Sequence, residues 1–211
     1  MKCRTAVLLV LLYLGSTIQT YAEEALKIAA FGDSLSAGYL LDAQDSFSAQ
    51  LQNALREKGH LVTVVNAAVS GDTTSSGLAR LDWSIGEDVD IVILELGAND
   101  ALRGVEPQIT RSNLQKMLNR LLERDILVLL AGMMAPPNLG EDYGSQFNRI
   151  YPELAEKYQV ALFPFFLEGV AARPSLNLAD GIHPTPEGVS VIVENILPSV
   201  EKLMSSTKSN Q

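Results

Sequence analysis

The stretch Leu26-Lys27-Ile28-Ala29-Ala30-Phe31-Gly32-Asp33-Ser34-Leu35-Ser36-Ala37-Gly38 joins an almost continuous apolar run to a turn of small residues. A run of that kind, with no alternation of apolar and polar positions, is the pattern of a strand covered by helices on both faces. It predicts a strand over Leu26 to Phe31 that exits at Gly32 and presents Ser34 to solvent. Gly32 and Gly38 allow backbone angles and close approaches that a Cβ would block, so a reacting group could reach both the Ser34 hydroxyl and its amide. Ser34 is therefore a candidate nucleophile. A strand-to-helix turn with a capping serine accounts for the same octapeptide, and later segments must decide.

Working outward, Asp45 or Ser46 can cap a helix whose Phe47, Leu51, Ala54 and Leu55 form one stripe, with Gly59 as its stop. A second strand is expected over Leu61 to Val69 and a third over Val89 to Leu96. They exit into Ser70-Gly71-Asp72-Thr73-Thr74 and Gly97-Ala98-Asn99-Asp100. Leu78 and Leu81 mark a short helix between these strands. Leu114, Met117, Leu118, Leu121 and Leu122 mark a helix after Pro107. A fourth strand, Ile126 to Met134, runs into Ala135-Pro136-Pro137-Asn138-Leu139-Gly140, where consecutive prolines stop regular structure. Phe147, Ile150, Tyr151, Leu154 and Tyr158 then repeat with helical period, with a kink expected at Pro152. A fifth strand over Val160 to Phe166 precedes an irregular stretch. The last helix starts at Thr185-Pro186, and Pro198 should interrupt it. Five strands alternating with helices predict an α/β fold with a parallel sheet wound on both faces, whose ligands bind at the carboxyl ends of the strands.

Length and composition predict one domain: 211 residues, 47% hydrophobic and 19% charged, support a single large core. Lys2 and Arg4, the apolar Ala6 to Leu14 and the small-x-small site Thr20-Tyr21-Ala22 read as a signal peptide over residues 1–22. Its core is too short for a membrane span, which needs about 20 residues. The domain is expected over 23–204, with a polar tail over 205–211. Export, to a periplasm or beyond, follows from the leader. The only cysteine, Cys3, lies within that leader, so the mature chain would have neither a disulfide nor a thiol nucleophile. Cleavage removes two of the 16 basic residues and none of the 25 acidic ones, moving the formal charge from −9 to −11. That balance, with no basic cluster, argues against nucleic acid as a partner.

A serine hydroxyl needs a base, and the chain offers two histidines. His60 lies at the amino end of the second strand, away from the strand exits, and is expected to be an ordinary boundary residue. His183 lies in Asp180-Gly181-Ile182-His183-Pro184, where a carboxylate three residues earlier can reach Nδ1, fix the tautomer and stabilise the imidazolium. The alternative is a loop aspartate beside a histidine that caps the last helix. Oxyanion donors would be the amides of Ser34 and Gly71 and the side chain of Asn99, although Gly71 also suits a turn and Asn99 a helix cap. Two distant histidines supply no zinc-ligand spacing, so no metal and no cofactor is expected. Ser36 replaces the second glycine of a Gly-x-Ser-x-Gly elbow, and no Gly-x-Gly-x-x-Gly loop follows the first strand.

Gly32-Asp33-Ser34-Leu35, then Gly71, Gly97-x-Asn99-Asp100 and Asp180-x-x-His183, resemble in order the four sequence blocks of the SGNH (GDSL) hydrolases. Within that family the chain is similar to bacterial exported esterases and thioesterases over Val64-Val65-Asn66-Ala67, Gly77-Leu78-Ala79-Arg80-Leu81, Pro136-Pro137-Asn138 and Phe165 to Val170. The resemblance implies a flavodoxin-like three-layer α/β/α sandwich with a five-stranded parallel sheet. It implies Ser34, Asp180 and His183 as catalytic residues and Ser34, Gly71 and Asn99 as the oxyanion hole. It also implies hydrolysis of esters and thioesters with fatty acyl or aryl groups; lysophospholipids are candidate substrates, and a monomer is expected. The loop Pro137 to Tyr143, with Leu139, would close over the acyl chain. A carbohydrate O-acetyl esterase using the same residues, and an exported binding protein retaining only the fold, are the competing readings.

Overall fold

The computed structural model describes residues 25–207. The expected leader and Cys3 lie outside the described residues, as do the last four of the expected tail. Five parallel strands, β1 (Leu26–Phe31), β2 (Val62–Asn66), β3 (Ile91–Glu95), β4 (Leu127–Ala131) and β5 (Ala161–Phe163), form one sheet in the order β2-β1-β3-β4-β5. In register, Ile28 of β1 faces Val64 of β2 on one side and Ile91 of β3 on the other. The helices are α1 (Ser34–Ala37), α2 (Phe47–Glu57), α3 (Thr74–Ser84), α4 (Ala98–Leu102), α5 (Pro107–Leu122), α6 (Glu141–Asn148), α7 (Ile150–Tyr158) and α8 (Pro186–Thr207).

The strand order fixes both the layers and the site. From β1 the chain moves outward to β2, then returns past β1 to β3, β4 and β5. Right-handed crossovers therefore send α2 to one face and α3, α5 and α7 to the other. α8 returns to pack on α2, while α3 packs on α5 and α5 on α7, which completes a three-layer α/β/α sandwich. The reversal falls between β1 and β3, where the loops leaving neighbouring strands diverge and open a crevice. Ser34 follows β1, and Asn99 follows β3. All five residues of β3 are buried, as are Ile28 to Phe31 of β1.

Several boundaries are tighter than the apolar runs predict. β2 stops at Asn66 because the flanking Leu61 and Val69 are exposed at the sheet edge, and β5 keeps only three residues. Ser46, not Asp45, caps α2, accepting from the Ala49 amide. Pro137 does not end all helical structure: it opens a 3₁₀ turn, Pro137–Leu139, in a first position that needs no amide donor. The single kinked helix expected around Pro152 is two helices meeting at Arg149. Pro152 becomes the third residue of α7, where its missing N–H would have had no helical acceptor. Pro198 does not interrupt α8, which runs on through Ser205 to Thr207, residues expected to be tail. An interior proline costs about 3 kcal/mol, and burying each large apolar side chain returns roughly 1.5–3 kcal/mol. Ile196 and Val200, both with 0% exposure, and Met204 beyond them outweigh it.

Candidate active site

Asp33 follows β1 and caps α1, its Oδ1 accepting from the Leu35 amide at 3.0 Å, so Ser34 becomes the first residue of a four-residue helix. Ser34 is half-buried, and its Oγ lies 2.9 Å from Nε2 of His183, 149 residues away. His183 Nδ1 donates to Asp180 Oδ2 at 2.7 Å. An ionised carboxylate only accepts, so the proton sits on Nδ1, and Nε2 is left to receive the serine hydroxyl. The other Asp180 oxygen accepts from the amides of Ile182 and His183 at 2.9 and 3.0 Å. Those two amides, led by that of His183, together with the imidazole hydrogen bond, pull the Asp180 pKa down to about 2.

Asp180 and His183 share a short hairpin. Its arms meet at an antiparallel bridge between Asn177 and Pro184, with Leu178 N donating to His183 O at 2.7 Å and Thr185 N to Leu176 O at 3.0 Å. Buried Asn177 holds the near arm by donating to the carbonyls of Val170 and Arg173. Thr185 then caps α8 through the Gly188 amide. The ring of Tyr39 covers the imidazole, the centroids 4.4 Å apart.

The other two expected oxyanion donors, Gly71 and Asn99, follow β2 and β3, the strands on either side of β1. Gly97, at φ +124, turns the chain off β3 where a Cβ would overlap the Tyr151 hydroxyl, and α4 follows at once. Asn99 on α4 donates from Nδ2 to Asp33 Oδ2 at 3.0 Å. Asp100 anchors α4 by accepting from the Thr74 amide at 2.7 Å and the Thr110 hydroxyl at 3.0 Å. Gly71, at φ +86, has its carbonyl held by Arg103 Nη2 at 2.9 Å, and its amide donates to none of the described residues.

Buried Arg80 laces these loops together. Its guanidinium pairs with Asp72, donates to the Ala67 carbonyl at 2.7 Å and the Gly32 carbonyl at 3.0 Å, and lies over the Phe31 ring. His60, as expected, is remote from this cluster and pairs with Glu201 at 2.9 Å. Pro137, Leu139 and Tyr143 make no hydrogen bond to Ser34 or His183. Tyr143 donates to the Val105 carbonyl at 2.7 Å and stacks on Phe147, which sets this segment against the chain following α4.

Sequence reasoning missed the carboxylates behind Ser34. Asp33 has 0% exposure, and its pKa is raised to about 6 by burial, against the lowering effects of the Leu35 and Asn99 hydrogen bonds. Glu95, the last residue of β3, is likewise fully buried. Desolvation and then the charge of Asp33 push its pKa well above the usual carboxylate range. A lone acidic residue in a strand with both faces covered was the available signal.

A GDSL-like lipase/acylhydrolase family model matches residues 30–191. An arylesterase of Vibrio mimicus is 44% identical over 177 residues, covering 83% of this chain and 88% of that protein. Thioesterase 1/protease 1/lysophospholipase L1 of Escherichia coli K12 is 37% identical over 190 residues, covering 90% and 89%. The crystal structure of AlinE4, an SGNH-hydrolase family esterase, superposes with a TM-score of 0.73 at 48% identity, covering 86% of this chain and 98% of that one. The match runs from the end of β1 through the Ser34 turn, α4 and the hairpin of Asp180 and His183 into α8, and this chain belongs to the GDSL-like lipase/acylhydrolase family, as an ester hydrolase.

Proposed function

We propose that the chain cleaves acyl esters and thioesters through an acyl-enzyme on Ser34. The observation that carries this reading is the 2.9 Å approach of Ser34 Oγ to His183 Nε2, with Asp180 2.7 Å behind Nδ1. Nε2 takes the hydroxyl proton as Oγ attacks the carbonyl carbon, and Asp180 stabilises the imidazolium. The amides of Ser34 and Gly71 and the side chain of Asn99 receive the charge that develops on the carbonyl oxygen. His183 returns the proton to the departing alcohol or thiol. Water, deprotonated by the same imidazole, then hydrolyses the acyl-serine.

An acyl or aryl group is favoured over a sugar acetate by the apolar rim. Tyr39, Leu40, Val69, Leu102, Met134 and Ile182 are large exposed hydrophobics, all on segments leaving the strand carboxyl ends. Pro137, Leu139 and Tyr143 form one wall of that rim in this reading. Lysophospholipids fit the same chemistry, and with the leader at 1–22 the enzyme acts after export as a monomer. Among the described residues no helix is long and apolar enough to cross a membrane.

Ser34→Ala is expected to leave a folded protein whose p-nitrophenyl ester hydrolysis falls by a factor on the order of 10⁴ or more. A fluorophosphonate should label the parent and not the variant. Undiminished turnover in the variant removes the acyl-enzyme. Faster release from acetylated sugars than from a series of longer acyl esters favours the acetyl esterase instead.

A further inference from the structure

Directly behind Ser34 stand two buried carboxylates that the proposed reaction does not use. The two oxygens of Asp33 are both acceptors, one for the Leu35 amide and one for Asn99 Nδ2, each at 3.0 Å. An Asn side chain can present either its carbonyl or its amide to a neighbour. An acceptor-only carboxylate admits just the amide, so Nδ2 is held on the Asp33 side and its second hydrogen remains available. Glu95 closes the back of this arrangement. Its Oε2 meets the Asp33 amide at 3.3 Å and the Ser36 hydroxyl at 2.8 Å, and Gly32 is glycine where a Cβ would stand 2.5 Å from that same oxygen. Its Oε1 has no hydrogen-bond partner among the described residues. The nearby cation, Arg80, is committed to Asp72 and to two carbonyls. A bare carboxylate oxygen without a counter-charge is far costlier to bury than the carbonyl oxygen of a neutral acid.

We propose that Asp33 is the positioning residue of the oxyanion hole, acting as a carboxylate that dictates which end of the Asn99 amide serves the reaction, with Glu95 kept behind it as a neutral acid. This rests on Asn99 being an oxyanion donor. The ionisable groups facing Asp33 are Glu95 of β3, Asp72 with its Arg80, Tyr151 of α7 and His183 of the hairpin. His183 is the one whose charge during the reaction favours an ionised Asp33.

A double-mutant cycle on the full chain, with a p-nitrophenyl ester, tests the proposal. Asn99→Ala alone should lower kcat by about 10²–10³-fold. Asp33→Asn should lower kcat by about 30-fold or more with KM within about threefold. In the Asn99→Ala background it should add less than about threefold. Glu95→Gln, isosteric with a neutral acid, should keep kcat within about threefold and leave the pH profile in place. Full multiplicative losses in the cycle, or an Asp33→Asn enzyme of parental kcat, overturn the positioning role. A displaced pH profile in Glu95→Gln overturns the neutral acid. Parental kcat in Asn99→Ala refutes the oxyanion reading itself, and the proposal with it, and is distinguishable because the Asp33 cycle is then never invoked. If Asp33→Asn does not fold, Asp33→Ser enters the same cycle with the same criteria.

Discussion

Replacing Asp33 by Asn should change how stability depends on pH, by an amount that follows from the burial of one carboxyl group. The Asp33 pKa is raised from 3.8 to about 6, with desolvation as the main cause. A raised carboxyl pKa means that, between those values, the native state holds a proton that the unfolded chain has released. Stability is then greatest below the unfolded value and is lost as pH rises through the folded one. A tenfold difference in proton affinity between the two states corresponds to about 1.4 kcal/mol, so the full effect at neutral pH is about 3 kcal/mol, of which about 2 kcal/mol falls between roughly pH 4.5 and 7.5. Asn does not titrate and caps helices as well as Asp, so the cap on α1 survives the exchange. The loss of the Asn99 hydrogen bond moves the variant by a constant that does not depend on pH. Urea unfolding of both proteins across that range, with equal m-values, should show the difference ΔG(Asp33→Asn) − ΔG(parent) rising by about 2 kcal/mol with pH. Relief of Glu95, whose pKa Asp33 also raises, adds in the same direction. A difference flat within about 0.5 kcal/mol, or falling with pH, would refute the reasoning. The enzyme would thus gain relative stability at neutral pH from a substitution expected to cost it turnover, a trade that active sites commonly show.

Asp180→Asn should reduce kcat by up to about 10⁴-fold, because the carboxylate acts through the imidazole tautomer. Its depressed pKa of about 2 stabilises the fold above the ordinary carboxyl range and is lost as pH falls toward 2. The parent's extra acid-limb stability loss between about pH 4 and 2 should therefore disappear in the variant, and its persistence would reassign that titration. Tyr151→Phe removes a fully buried hydroxyl that donates to the Leu96 carbonyl at 2.9 Å. Urea unfolding should show a loss of about 1–3 kcal/mol, and an unchanged midpoint would mean that the carbonyl finds another partner.

The fold was legible because both faces of the sheet are covered: β1, β3 and β4 are almost continuous apolar runs, broken only by Lys27 and Glu95, and such runs have few other uses. Legibility failed where tertiary packing outweighed local preference. Pro198 reads as a helix stop by any local rule, and only the burial of Val200 and Met204 beyond it carries α8 onward. Pro152 reads as a kink because periodicity alone does not reveal that the chain restarts a helix at Ile150. Within the proposed site, the contact of Asp180 with His183 was readable through local spacing, and the places of Ser34, Gly71 and Asn99 after strand exits through the apolar runs before them. Asp33 and Glu95 were not, since their meaning arises from contact between residues 62 positions apart. The isolated glutamate in β3 was visible, but nothing nearby in sequence said what it would face.

Asp180 and His183, the proposed acid and base, ride on one hairpin, closed by its own main-chain bonds and tied to the rest through Asn177 and the cap of α8. Any sway of that hairpin carries carboxylate and imidazole together, so their mutual alignment survives and only the gap to Ser34 changes. Gly188, in the first turn of α8, lies against the near arm of the hairpin, where a Cβ would press on the Leu176 carbonyl. A side chain there would detune the enzyme by distance alone, with the proton still on the correct nitrogen.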